Sequence, residues 1–99
     1  MVKIRVSEGV ERETLAIGDR LMIVEFSFRR GSDVPWHSHV HEQSSYIVKG
    51  RLKLFIEEDE LILTPGMSAI VPSNARHKAV AVEDTVDINA FAPVREDYL

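Results

Sequence analysis

Three of the chain's four histidines fall within five residues, in the segment Gly31-Ser-Asp-Val-Pro-Trp-His37-Ser-His39-Val-His41-Glu-Gln43. The fourth, His77, follows a proline-bearing turn far downstream. Imidazole is the commonest metal-binding side chain and is largely neutral at pH 7. On an extended strand alternate side chains share a face, so His37 and His39 are expected to project to one side. With an imidazole imported from elsewhere and a nearby oxygen donor, they make a three-nitrogen metal site. His41 stands at i,i+4 from His37, the spacing of helical zinc pairs. Pro35 and the β-rich surroundings oppose a helix, so His41 is expected in a bend rather than among the ligands. Ser32, Ser38, Ser44 and Ser45 lack the general base or oxyanion donors that a nucleophile needs.

The elements that must position these residues read with period two. Val2, Ile4 and Val6 alternate with Lys3, Arg5 and Ser7, predicting a half-buried strand. Leu21 to Phe28 is rich in β-branched and aromatic residues, with Met22, Val24, Phe26 and Phe28 on one face. Gln43–Lys49 and Arg51–Glu57 flank Gly50 as a tight hairpin. Glu58-Asp59 turns the chain into Glu60–Thr64, and Pro65-Gly66 suits the central positions of a type II turn. Short strands follow at Ser68–Val71, His77–Val82 and Thr85–Phe91. The run Glu57-Glu58-Asp59-Glu60 reads as a solvated turn. No stretch shows helical periodicity, and parallel sheets would need longer crossovers than this chain offers. The fold class is all-β and antiparallel, a sandwich or barrel.

Ninety-nine residues suit one domain, spanning 1–99, and an apolar fraction of 44% is enough for a core. With 12 basic and 16 acidic side chains the net charge is -4, the wrong sign for a phosphate backbone, and no basic stripe appears. Nucleic acid is not an expected partner. The absence of cysteine removes disulfides, thiolate zinc sites and cysteine nucleophiles together. No apolar run approaches the roughly 20 residues of a membrane helix. The cytoplasm is the default expectation for a chain without a recognisable address.

The spacing carries a resemblance. Gly31 is followed by His37, His39, Gln43 and Gly50, and downstream Gly66 is followed by Pro72 and His77. This two-part pattern resembles the cupin superfamily, whose first motif is Gly, His-x-His, Glu, Gly and whose second is Gly, Pro-x-Gly, His, Asn. The resemblance spans about half the chain and implies a double-stranded β-helix, or jelly-roll barrel. Gln43 stands at the motif's glutamate, Asn74 at its second-motif glycine and Ala81 at its asparagine. Asparagine also tolerates left-handed turn geometry.

A narrower resemblance is to the small cupins of the KdgF type, carried by His37-Ser-His39-x-His41-Glu42-Gln43, Tyr46 and the ending Phe91-Ala-Pro93-Val-Arg95-Glu-Asp-Tyr98-Leu99. Those proteins open the ring of unsaturated uronates to linear ketonised sugars. The resemblance implies metal ligands His37, His39, Gln43 and His77, and a homodimer, for which Val2, Ile4 and Val6 offer an edge strand. Phe91 and Arg95 match family positions tied to the reaction, whereas Asn89 stands where the family has an aspartate.

The implied cofactor is one divalent transition metal, since imidazole suits Ni, Zn, Fe, Mn, Co or Cu alike. Four neutral ligands leave the ion its full charge, which favours a small anionic ligand or substrate. Arg95 is expected to hold a substrate carboxylate, with Phe91 and Trp36 against the sugar. Asn89 cannot shuttle a proton, so Tyr46, a metal-bound water or a further carboxylate must replace it. Arg95, Tyr46 and Asn89 are thus the candidate catalytic positions. A non-catalytic sensing or ligand-binding module and a metal-dependent dioxygenase are the alternatives.

Overall fold

The computed structural model describes residues 2–99. Among these, the chain forms ten strands: β1 (Lys3–Ser7), β2 (Val10–Ile17), β3 (Met22–Phe28), β4 (Asp33–His37), β5 (Glu42–Lys49), β6 (Leu52–Ile56), β7 (Asp59–Leu63), β8 (Ser68–Val71), β9 (His77–Ala81) and β10 (Thr85–Ala92). A single 3-10 turn, Glu96–Tyr98, closes the chain. The strands build a six-stranded sheet, β1-β2-β3-β10-β5-β8, and a four-stranded sheet, β4-β9-β6-β7. Every pairing is antiparallel. The two sheets face each other as a jelly-roll barrel, as expected from the period-two patterning.

Strict alternation builds the core. Met22, Val24, Phe26 and Phe28 of β3 are buried and meet Leu52, Leu54 and Leu63 of the smaller sheet within one apolar cluster. Burying such side chains contributes about 1.5–3 kcal/mol each. The type II turn at Pro65-Gly66 is present, with Gly66 at φ +89° and the Met67 amide donating to the Thr64 carbonyl at 2.9 Å.

Two expectations need correction, and one strand was missed. The stretches flanking Gly50 do not form a hairpin, because β5 belongs to the larger sheet and β6 to the smaller. Gly50 is a corner where the chain changes sheets, at φ +95°, and a Cβ there would collide with the Asp84 carbonyl and with Thr85. The β6–β7 pair is the hairpin instead. β2 was not anticipated, because its alternation breaks at a bulge between Thr14 and Ala16. Finally, Val2, Ile4 and Val6 are exposed rather than half-buried, since β1 forms the outer edge of its sheet.

Candidate metal centre

β4 and β9 lie side by side in the smaller sheet, and a register shift between Val34 and His37 sets His37 directly opposite His77. Pro35 sits inside that irregularity, where its missing N–H costs no ladder bond. β4 ends at His37, so His39 lies beyond the strand and not on it, and His77 comes from the neighbouring strand β9. The chain nevertheless brings the three rings together, with centroids 4.1 Å apart for His37–His77, 4.9 Å for His39–His77 and 5.6 Å for His37–His39. One nitrogen from each lies within 4.8 Å of the others. His41 is outside this group.

The tautomers follow from the backbone. The Nδ1–H of His37 donates to the Pro35 carbonyl at 2.8 Å, that of His39 to the His41 carbonyl at 2.9 Å and that of His77 to the Ala75 carbonyl at 2.9 Å. Each ring therefore turns a bare Nε2 lone pair inward, the form in which imidazole binds metal. His41 serves the site through this carbonyl, while its own ring bonds the Pro93 carbonyl at 2.9 Å.

Gln43 enters from β5 in the opposite sheet. Its orientation is set by a chain of amides, beginning with Asn89 Nδ2, which donates to the Asp87 carbonyl at 3.4 Å. Asn89 Oδ1 is thereby free to accept from Gln43 Nε2 at 2.6 Å. That leaves Gln43 Oε1 facing His39 Nε2 at 3.0 Å. Both of these atoms are acceptors, so they repel unless a cation or proton lies between them. His77 Nε2 is buried and has no hydrogen-bond partner among the described residues, a costly state for a polar atom. A divalent ion resolves both problems at once, and the donor set of three imidazole nitrogens and one amide oxygen fits it.

Burial disfavours the charged forms of His39 and His77. Burial pushes His77 down to about 4, with His37, His39 and Arg95 nearby adding to the effect. Burial and then the charge of Arg95 also lower His39.

The remaining candidates separate into two groups. Phe91 is buried, with its ring edge-on to His39 at 5.8 Å. Asn89 is 1% exposed. Arg95 lies over Phe91 and Tyr98, at 5.1 and 4.0 Å from the ring centroids. Its Nε and Nη2 donate to the two carboxylate oxygens of Asp97 at 3.3 and 2.8 Å. Arg95 and Phe91 line one narrow cavity with His37, Gln43, His77 and Asn89. Trp36 and Tyr46 do not line it. Trp36 is 42% exposed and packs on Phe55 at 6.1 Å, beneath Arg76, because it alternates with His37 along β4. Tyr46 is 49% exposed, on the face of β5 opposite Gln43 and Ser45. Strand alternation turns both away from the histidine cluster.

Sequence reasoning missed Asp87. It is 4% exposed, lines the same cavity and accepts a hydrogen bond from Ser45 Oγ at 2.6 Å. The signal was available: in Thr85–Phe91, apolar Val86 and Ile88 alternate with Asp87 and Asn89, so one face of the strand must be polar. A larger cleft of about 520 Å³ lies away from the histidines, lined by Arg5, Arg29, Lys49 and Asp84 among others. The smaller cavity, of about 50 Å³, is the site because it holds the convergent donors.

The family described as Cupin domain matches residues 24–90. The pectin degradation protein KdgF of Dickeya dadantii is 32% identical over 94 residues, which cover 93% of this chain and 86% of that one. The structure of KdgF from Halomonas sp. is similar at a TM-score of 0.94 and 34% identity, covering 100% of this chain and 92% of the other. An RmlC-like cupin from Shewanella frigidimarina is similar at a TM-score of 0.93 and 32% identity, covering 99% and 88%.

Proposed function

The chain belongs to the cupin family, and from that premise we propose that it is a metal-dependent enzyme that opens and ketonises a small unsaturated uronate. The observation that carries this reading is the opposed pair of acceptors, His39 Nε2 and Gln43 Oε1 at 3.0 Å, beside the unpartnered His77 Nε2. His37, His39, His77 and Gln43 would hold one divalent ion of Ni, Zn, Fe, Mn, Co or Cu. Such an ion supplies Lewis acidity at an oxygen of the substrate and, with four neutral ligands, attracts an anion. The similarity to KdgF supports a sugar acid as that anion.

The residues of the chain divide the rest of the work. Asp97 grips the Nε–Nη2 edge of Arg95, and Tyr98 backs its plane, so Nη1 remains for a substrate carboxylate. Phe91 supplies an apolar wall beside His39. Ring opening removes the proton of the anomeric hydroxyl, converts that O–H pair into a C=O bond and breaks the ring C–O bond. A carbon of the former double bond gains one proton. The ring C–O pair stays on its oxygen and becomes the new ketone C=O, while the former alkene pair takes that proton. We further propose a homodimer formed through the exposed β1 edge, located in the cytoplasm.

Elemental analysis of purified protein beside His37→Ala and His77→Ala tests the centre. Near-stoichiometric metal in the parent and its loss from both variants is expected, followed by turnover of unsaturated uronates, read as loss of their conjugated absorbance. A parent that takes up no metal even after reloading overturns the reading. Asn89 favours a second reading, a non-catalytic sugar-acid or metal-sensing module, because an amide cannot shuttle protons. Uronate turnover that appears only in Asn89→Asp would select that reading. A metal-dependent dioxygenase would instead consume oxygen with a redox-active ion in place.

A further inference from the structure

We propose that Asp87 moves the proton of this reaction, acting through water in the cavity, in place of the carboxylate that residue 89 lacks. The inference rests on the uronate reading above. Asp87 is the sole carboxylate lining the cavity among the described residues. It stands two positions before Asn89 on β10, so the two side chains share the inner face of the strand.

Across the β5–β10 ladder, Phe91 pairs with Gln43, Asn89 with Ser45 and Asp87 with Ile47. The polar contacts run diagonally between these rungs. Ser45 Oγ donates to Asp87 Oδ1 at 2.6 Å, and Gln43 Nε2 donates to Asn89 Oδ1 at 2.6 Å. A continuous polar stripe therefore leads from the buried carboxyl to the metal ligand. Among the described residues, Asp87 has no ion pair to explain a carboxyl in this place.

The groups facing Asp87 from each packed element are few. β4 presents His37 and β9 presents His77, while the chain end presents Arg95 and Tyr98. β3 and β6 show it apolar Phe26, Phe28, Leu52 and Leu54, and β5 shows Ser45 and Gln43. Desolvation in this setting raises Asp87 to about 6, partly offset by the bonds from Ser45 and Asn89. A general acid–base group works best when it titrates near the working pH.

The cavity volume of about 50 Å³ exceeds the roughly 10–15 Å³ that one water needs, yet it is far too small for a sugar ring. Substrate therefore stays at the mouth, and the carboxyl reaches it along water. In one turnover the Asp87 carboxylate takes a proton from the anomeric hydroxyl through water, and the carboxylic acid so formed returns one to the substrate carbon.

The test compares the metal-loaded parent, Asp87→Asn and the exchanged pair Asp87→Asn/Asn89→Asp. Asp87→Asn keeps an oxygen for Ser45 and is expected to retain metal while losing about 100-fold or more in kcat, together with the acid-side limb of the pH profile. The exchanged pair is expected to recover turnover. Infrared spectra, which need no activity, should show a protonated carboxyl in the parent at pH 5 that fades by pH 8 and is missing from Asp87→Asn. Turnover and pH profile unchanged in Asp87→Asn overturn the assignment of Asp87 alone, as does a spectrum identical to the parent's. A metal-loaded parent that leaves unsaturated uronates untouched overturns both this assignment and the uronate reading.

Discussion

At the scale of single residues, the centre is held by bonds that leave no donor pointing inward. Asn89 is the hinge of that arrangement: Asn89→Leu should free the Gln43 amide to turn, lowering metal affinity about 10–100-fold. Titration against a competing chelator measures this, and unchanged affinity would mean that the amide chain does not orient the ligand. The pH dependence of the metal-free protein follows from His77. Its folded value lies near 4, below the ordinary 6.5, so the unfolded chain takes up a proton that the folded chain refuses. The associated stability is present above pH 6.5 and is lost as pH falls towards 4. Urea midpoints of metal-free protein across that window should decline, and less so in His77→Ala. Asp87 has the opposite sign. Raised from 3.8 to about 6, it contributes stability that is full below pH 3.8 and lost as pH rises through 6. Asp87→Asn should therefore be more stable than the parent at pH 8 by up to about 3 kcal/mol, with the difference gone near pH 3.8. The histidine cluster was legible in the sequence because a His-x-His pair and one distant histidine at motif spacing stand out by residue type. The Nδ1–carbonyl bonds were not legible, because they depend on backbone carbonyls that every residue has.

At the scale of the elements, the corner at Gly50 joins the two sheets that share the site, linking the Gln43 strand to the smaller sheet that carries His37 and His77. Gly50→Ala combines a positive φ with a collision against the Asp84 carbonyl and should cost about 3 kcal/mol or more, read as a shift in urea midpoint without a change in slope. A near-neutral result would show that the corner can reshape. Period-two alternation made most strands readable, from Met22–Phe28 through Thr85–Ala92. It could not say which sheet a strand joins, because a glycine between two strands serves a hairpin and a corner equally well. Trp36 and Tyr46 show the same limit in reverse. Trp36 suited a sugar ring and Tyr46 a proton transfer, but one-residue alternation with His37 and with Ser45 turns them outward.

At the scale of the whole molecule, the centre ties the two sheets together across the barrel, since Gln43 comes from one and His37 and His77 from the other. Metal binding should thus stabilise the entire fold, by about 4 kcal/mol when free metal exceeds its dissociation constant a thousandfold. Thermal unfolding with and without chelator reads this, and an unchanged Tm would mean that no ion is bound by the folded chain. The cavity has one more consequence. A chamber that admits a few waters but no sugar ring can inspect only the rim of its guest. For the uronate proposed above, recognition is then confined to the carboxylate and the oxygens beside it, while the far carbons stay in bulk solvent. Uronates that differ only in their remote stereocentres should look alike to this protein.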